Sequence, residues 1–262
     1  MTWLSLETME LKRIDKIAIL TLTREDNLNA MSPTFFDNIK QVITELSAND
    51  HGIRALIITG NGGGFSVGAD LKSFSFEGDF DLGQALRDNF EPMVLDIKAL
   101  PFPTIAAVNG YCVGAGMGLM LACDLTIAAR CATFAQGFVG IALIPDAGST
   151  YFLPRLIGRA RATEMMMLGE NVTASDAFDI GMINKVVDDH DLMTEAMTLA
   201  TKLAAGPTSA IVQIRKLLDA SQESTLIDQL GLEADEQKIA GQSSNFREGV
   251  SAFLQKRDPN FK

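Results

Sequence analysis

Strand-forming segments recur along this chain as far as about residue 190 and then stop. Residues 16–23 (K-I-A-I-L-T-L-T) read as a strand with alternating faces, and residues 53–59 (I-R-A-L-I-I-T) as a more continuously buried one. Between them Ser32-Pro33 reads as an N-cap followed by proline at the first helical position, and F-F-D-N-I-K-Q-V-I-T-E-L then carries helical periodicity. The pattern continues with a helix over 84–98, a strand at 104–108, a glycine-rich turn, a helix over 115–122 and a strand at 124–129. A short helix at 173–179 and a strand at 182–187 follow. Beyond that, 191–205, 208–220, 224–241 and 246–256 are all helical in pattern, with Gly206-Pro207 as a break and Asn245-x-x-Glu248 as a capping box. The chain is therefore expected to divide into an α/β core, residues 1–190, and an all-helical part, residues 191–262. Four short helices with little core of their own need a surface to pack on, which the core, a second subunit, or both can supply.

Composition narrows the function classes. With 262 residues and 47% hydrophobic content the chain can bury a full core. Its net charge of −11 argues against nucleic acid as a partner. Cys112, Cys123 and Cys131 have no C-x-x-C spacing and lie in apolar segments, as expected of buried free thiols in a reducing compartment. The N-terminal M-T-W-L-S-L-E-T-M-E has neither a basic segment nor a cleavage site, so a cytoplasmic location is expected. Thr104 to Cys123 is apolar but contains Asn109 and several glycines and runs into Asp124. It reads as a strand–turn–helix unit, and no membrane association is expected. Both histidines, His51 after Asn49-Asp50 and His190 among aspartates, read as exposed, which argues against a Ser-His-Asp triad or a metal site.

Three segments carry candidate chemistry. Asp146 is the only charged residue between Arg130 and Arg155. Local sequence favours a cap: Pro145 sets an extended entry, and the carboxylate is placed to accept from the Gly148 and Ser149 amides. Gly60–Lys72 and Asn109–Gly118 are glycine-rich segments that follow buried strands and are each expected to enter a helix, presenting backbone N–H groups to an anion. Neither is a Walker A loop or a dinucleotide fingerprint. Singly each is a tight turn; together they are two backbone donors able to hold one oxyanion.

With R-E-D-N-L-N-A-M at 24–31, R-A-L-I-I-T-G at 54–60, F-S-V-G-A-D-L-K at 65–72, A-V-N-G-Y-C-V-G-A-G at 107–116 and F-R-E-G-V-S-A-F-L-Q-K-R at 246–257, the chain resembles the crotonase (enoyl-CoA hydratase/isomerase) superfamily. The likeness spans nearly the whole chain. It implies an α/β fold, a spiral of ββα repeats with an all-helical C-terminal trimerisation part, and hence a homotrimer or dimer of trimers. It implies an acyl-CoA substrate, so that coenzyme A enters with the substrate and no prosthetic group is needed. Ala69 and Ala115 match the positions whose backbone N–H groups form the family's oxyanion hole. Arg24, Leu28, the Ala69-Asp70-Leu71-Lys72 segment and, from a neighbouring subunit, Phe253 and Lys256 match positions that contact coenzyme A.

The departures from the family pattern are informative. The two glutamates with which the family's hydratases add water align with Gly118 and Phe138 here, and neither residue can take a proton. Asp146 aligns with the single working carboxylate of some family isomerases and a dehalogenase. The stretch L-I-P-D-A-G-S-T-Y-F-L-P-R-L-I-G-R-A-R-A and the C-terminal tail are most similar to the ring-1,2-epoxyphenylacetyl-CoA isomerase group. The expectation is an isomerase with Asp146 as acid and base, an acyl pocket formed by Phe138, Ile144 and Gly118, and further walls from residues 73–92. A hydratase of fatty-acid β-oxidation and a non-catalytic CoA-binding subunit remain the alternatives.

Overall fold

A computed structural model describes residues 2–48, 51–73 and 81–262. The chain opens with β1 (Thr2–Ser5), β2 (Met9–Ile14) and β3 (Ile17–Leu22), followed by α1 (Pro33–Ser47). The Ser32 side chain caps α1 by accepting from the Phe35 amide at 3.3 Å, with Pro33 in the first turn as expected. Three strand–strand–helix turns follow. The first is β4 (Ala55–Gly60) and β5 (Gly64–Ser66) with α2 (Leu82–Ala85) and α3 (Glu91–Ala99), joined by a π-helical turn at Leu86–Phe90. The second is β6 (Thr104–Val108), β7 (Tyr111–Val113) and α4 (Ala115–Leu121). The third is β8 (Leu125–Ala129), β9 (Thr133–Ala135) and α5 (Ser149–Leu168), and the series closes with β10 (Val172–Thr173), α6 (Ala174–Asp179) and β11 (Lys185–Val187).

The first strand of each turn enters a seven-stranded sheet, β1-β2-β3-β4-β6-β8-β11, which is parallel from β3 onward. The second strand enters a four-stranded sheet, β10-β9-β7-β5. This is the spiral of ββα repeats. The apolar stretch from Thr104 to Cys123 is the second turn of the spiral, and among the described residues no helix is long and apolar enough to cross a membrane.

Both faces of the large sheet are covered. Leu20, Leu56, Ile58 and Val108 point to the main core beneath α1, α3 and α4, while Ile19, Ile57, Ile105 and Ile127 point to a second cluster. β3 is therefore buried on both sides rather than alternating with solvent, because α7 (Leu192–Ala205) closes the second face. Leu192, Ala196, Ala200 and Ala204 form one apolar stripe on α7, and the small alanines let the helix lie close to the strands.

The expected division after residue 190 is thus displaced, since α7 completes the core. The helices with little burial are α8 (Thr208–Ser221), α9 (Leu226–Gln242) and α10 (Ser244–Gln255). Of their residues only Glu236 and Ala252 are buried rather than half-buried or exposed.

Arg54 ties this part down. It is 8% exposed, and its guanidinium donates to Thr208 Oγ1, to the carbonyl of Phe261 at 3.0 Å and to that of Gly206.

Two local expectations fail. The cap of α10 is Ser243, which accepts from the Phe246 amide at 3.0 Å. Asn245 and Glu248 instead hold the chain end: Asn245 pairs with both backbone groups of Lys262, and Glu248 binds Arg257 and the Asn260 amide. Cys112 and Cys123 are buried, and desolvation pushes the Cys123 thiol up to about 12, but Cys131 is exposed at the turn entering β9. His51 is half-exposed and packs edge-on against Trp3; Asn49 and Asp50, on which the turn reading also rested, lie outside the described residues.

Candidate active site

The loop after β5 is built from buried polar contacts. Asn29, in a left-handed conformation at φ 56°, donates to the carbonyls of Asn61 and Gly64, while Ser66 Oγ donates to the Asn29 carbonyl at 2.8 Å. Met31 and Ala69 form a parallel bridge in which the Met31 amide donates to the Gly68 carbonyl at 2.7 Å and the Asp70 amide to the Met31 carbonyl at 3.0 Å. In a parallel bridge successive amides point to opposite sides. The Ala69 N–H accordingly faces away from Met31 and has no acceptor among the described residues. The loop passes into a turn at 71–73, and residues 74–80, where the expected helix would continue, lie outside the described residues; Ala69 presents its amide from the bridged segment before that turn.

Arg24 and Asp70 join the loop to the segment before α1. Their ion pair is 2.8 Å long, and the guanidinium also donates to the Ala30 carbonyl. The Arg24 guanidinium beside Asp70 holds its carboxyl below the usual range. Leu28, at φ 48°, seats against Gly64.

The second donor comes from the β7–α4 junction. Gly114, at φ 55°, makes the turn, and its amide donates to the Ala135 carbonyl at 2.9 Å. Ala115 is the first residue of α4. Its N–H is one of the amides that a helix leaves without an internal partner, and no other acceptor meets it among the described residues.

Both alanines line one apolar cavity of about 230 Å³. Leu82, Leu86, Phe90, Phe138, Ile141 and Leu143 supply most of its walls. Leu86 and Phe90, four residues apart on the π-helical turn, both face the cavity. Of the segment 73–92 expected to shape the pocket, residues 74–80 lie outside the described residues.

Asp146 is the only ionisable side chain among the described residues that line this cavity. It is not a cap: Gly148 begins α5 without a side-chain cap, and the Ser149 amide donates to the backbone carbonyl of Asp146 at 2.9 Å. Its Oδ1 is buried without a hydrogen-bond partner, and burial alone pushes the carboxyl up from 3.8 to about 6.

Two expected pocket residues are elsewhere. Ile144 is 81% exposed and points to solvent, because the chain turns outward before Pro145; Ile141 and Leu143 take its place. Gly118 does not reach the cavity, since it faces Ala147.

Of the expected coenzyme A contacts, Arg24, Leu28, Ala69, Asp70, Leu71 and Lys72 cluster at the same loop, with Leu71 and Lys72 exposed. Phe253, 82% exposed, and Lys256, in a left-handed cap at φ 55°, stand on α10 and do not line this cavity. Gly68 and Gly114, with positive φ at the two loop turns, have a role that the motifs alone did not assign; a glycine at each turn is the sequence signal for it.

Residues 12–262 match the family model for enoyl-CoA hydratase/isomerase. The chain belongs to the enoyl-CoA hydratase/isomerase family. It is 40% identical over 255 residues to 1,2-epoxyphenylacetyl-CoA isomerase of Escherichia coli, covering 96% of this chain and 97% of that protein. It is 38% identical over 258 residues to a probable enoyl-CoA hydratase of Rhodobacter capsulatus, covering 98% and 99%. Among solved structures, an enoyl-CoA hydratase subunit I from Geobacillus kaustophilus superposes with a TM-score of 0.91 at 31% identity, covering 98% of both chains. Membership makes this an enzyme of crotonase fold with enoyl-CoA hydratase/isomerase activity. The relatives divide between isomerase and hydratase.

Proposed function

We propose that the enzyme is an acyl-CoA thioester isomerase that uses Asp146 as its single acid/base group. The observation that carries this reading is the lining of the cavity: two unpaired backbone donors, Ala69 and Ala115, and one ionisable side chain, Asp146, in otherwise apolar surroundings. The donors are suited to the oxygen of a thioester carbonyl. Asp146 takes the proton on the carbon alpha to it, and the electron pair of the broken C–H bond moves onto the oxygen as an enolate or dienolate. The same carboxyl then returns the proton at the gamma carbon, shifting a Δ3 double bond to Δ2. Oxyanion donors of this kind are each worth about 10²–10³ in rate, and a positioned base about 10²–10⁴. Burial that brings the carboxyl to about 6 leaves it ionised at neutral pH yet able to hold a proton in passing.

Water addition needs a second acid/base group. Gly118 and Phe138 occupy the positions of the hydratase glutamates, which favours isomerisation. The cavity also has room for a ring-sized acyl group, since an apolar cavity of about 150 Å³ holds benzene. That supports rearrangement of an arylacetyl epoxide as one form of the reaction. Coenzyme A lies, in this reading, along Arg24, Leu28 and Ala69–Lys72, with Phe253 and Lys256 contributed across the interface of a trimer or a dimer of trimers. The chemistry needs no prosthetic group.

The test is turnover of Δ3-enoyl, 2-enoyl and arylacetyl-epoxide CoA thioesters side by side. Isomerisation of the first or third above hydration of the second is expected. Hydration of crotonyl-CoA as the dominant activity would overturn the reading in favour of a hydratase, and thioester binding without turnover of any member would indicate a non-catalytic subunit.

A further inference from the structure

The structure assigns Gly118 and Ala147 as positioning residues for Asp146, and their contact leaves no room for a carboxylate at position 118. Gly118 lies in the middle of α4 and Ala147 immediately follows Asp146. A β-carbon added at Gly118 would lie 2.4 Å from the Ala147 β-carbon and 2.6 Å from the Ala147 carbonyl oxygen. Neither neighbour is the free end of a flexible side chain, so residue 118 has no room for any side chain. The bare helix backbone is the seat into which the Ala147 methyl and peptide fit.

The seated turn is a strained one. Ala147 has φ 46° and Gly148 φ 79°, two consecutive left-handed residues of which the first carries a β-carbon. Such a conformation persists only where the surroundings over-determine it. The contact with Gly118, the hydrogen bond from the Ser149 amide to the Asp146 carbonyl and the burial of Ala147 at 9% exposure do so here. Reversing the chain direction at Ala147 is what leaves the preceding side chain directed into the cavity. Glycine at 118 is therefore tied to aspartate at 146, and a glutamate at 118 displaces the turn that carries Asp146.

This inference rests on Asp146 being the acid/base group, and its test separates the two. In the isomerase assay Gly118→Ala is expected to lower kcat about 10²-fold with KM little changed, the scale of loss that follows a misplacement of about 1 Å. The apparent pKa of the pH–rate profile should fall below that of wild type as the carboxyl gains water. The double variant Gly118→Ala/Ala147→Gly removes the contact with the Ala147 methyl and relieves the left-handed residue but leaves the contact with the backbone carbonyl of residue 147, so it should recover only part of the loss, about tenfold, if the turn is what moved. Wild-type kcat and pH profile in Gly118→Ala, or a loss without a pH shift and without recovery, would overturn the assignment.

A thermal measurement reads the same contact without turnover. Asp146→Asn should raise the melting temperature at pH 8 in the wild-type background and not in the Gly118→Ala background, because the displaced carboxylate is already hydrated. An equal rise in both backgrounds counts against positioning even if the isomerase reading holds. Should Gly118→Ala not fold, Ala147→Gly alone replaces it: a fall in kcat with a lowered apparent pKa supports the seat, and an unchanged profile contradicts it.

Discussion

Gly68 and Ala115 meet backbone to backbone: a β-carbon on Gly68 would lie 3.0 Å from the Ala115 amide nitrogen and 3.1 Å from the Val113 carbonyl. The contact sets two loops, distant in sequence, at the separation that brings the Ala69 and Ala115 donors to one cavity. Gly68 also has φ 84°, which a side chain tolerates poorly. Gly68→Ala is expected to lower kcat about 10²-fold, the cost of losing or misplacing one oxyanion donor. The check is steady-state kinetics beside a circular dichroism melt; a folded variant with unchanged kcat would show that the loop spacing does not matter.

The state of Asp146 gives a pH dependence. As base it must be ionised, so kcat/KM should rise with pH through an apparent pKa near 6, well above the 3.8 of an ordinary aspartate. A profile flat from pH 5 to pH 8 would mean that some other group takes the proton.

Stability should move in the opposite sense. A folded-state pKa of about 6 against 3.8 means that the folded chain binds this proton more tightly than the unfolded chain does. The favourable contribution is complete below 3.8 and is lost as pH rises through 6. Asp146→Asn is therefore expected to stabilise the protein at pH 8, by about 1–3 kcal/mol, and to have little effect at pH 4. Melting temperatures at both values test this, and a destabilised variant at pH 8 would imply that the carboxylate has a buried partner.

Arg24 illustrates what sequence showed and what it did not. The motif placed Arg24 and Asp70 at one site, yet the ion pair between them depends on the bridge of Met31 to Ala69, which no local pattern reveals. The same limit applies to Gly118: as an aligned position it reads as a lost glutamate, and only the Ala147 contact gives it a role. The strand–helix alternation and the four C-terminal helices were legible because hydrophobic periodicity records them directly. Ile144 was misplaced because the left-handed residue Ala142, φ 58°, and the turn to Pro145 change which side chains face inward.

The Arg24–Asp70 pair makes its own prediction. Arg24→Ala should raise KM for an acyl-CoA about tenfold, whether the guanidinium touches coenzyme A or only holds the loop. Asp70→Asn separates the two: if the strap matters most, it raises KM comparably, and if the cation matters most, KM stays near wild type.

The outer helices predict assembly. Leu226 and Ile227 on α9 are 75% and 83% exposed, and Phe253 and Leu254 on α10 are 82% and 74% exposed, a large apolar area for a lone chain. Sedimentation velocity should show three or six chains, and Ile227→Glu should shift the population to smaller species with loss of activity. A monomer with full activity would exclude Lys256 and Phe253 from acting across an interface.

The proposed catalysis turns on one carboxylate, and the most direct measurement is double-bond migration in a 3-enoyl-CoA by wild type and Asp146→Asn, each shown to be folded. The expected result is a loss in kcat of about 10²–10⁴ with KM near wild type, the range for removal of a general base. Equal rates in the two proteins would contradict it.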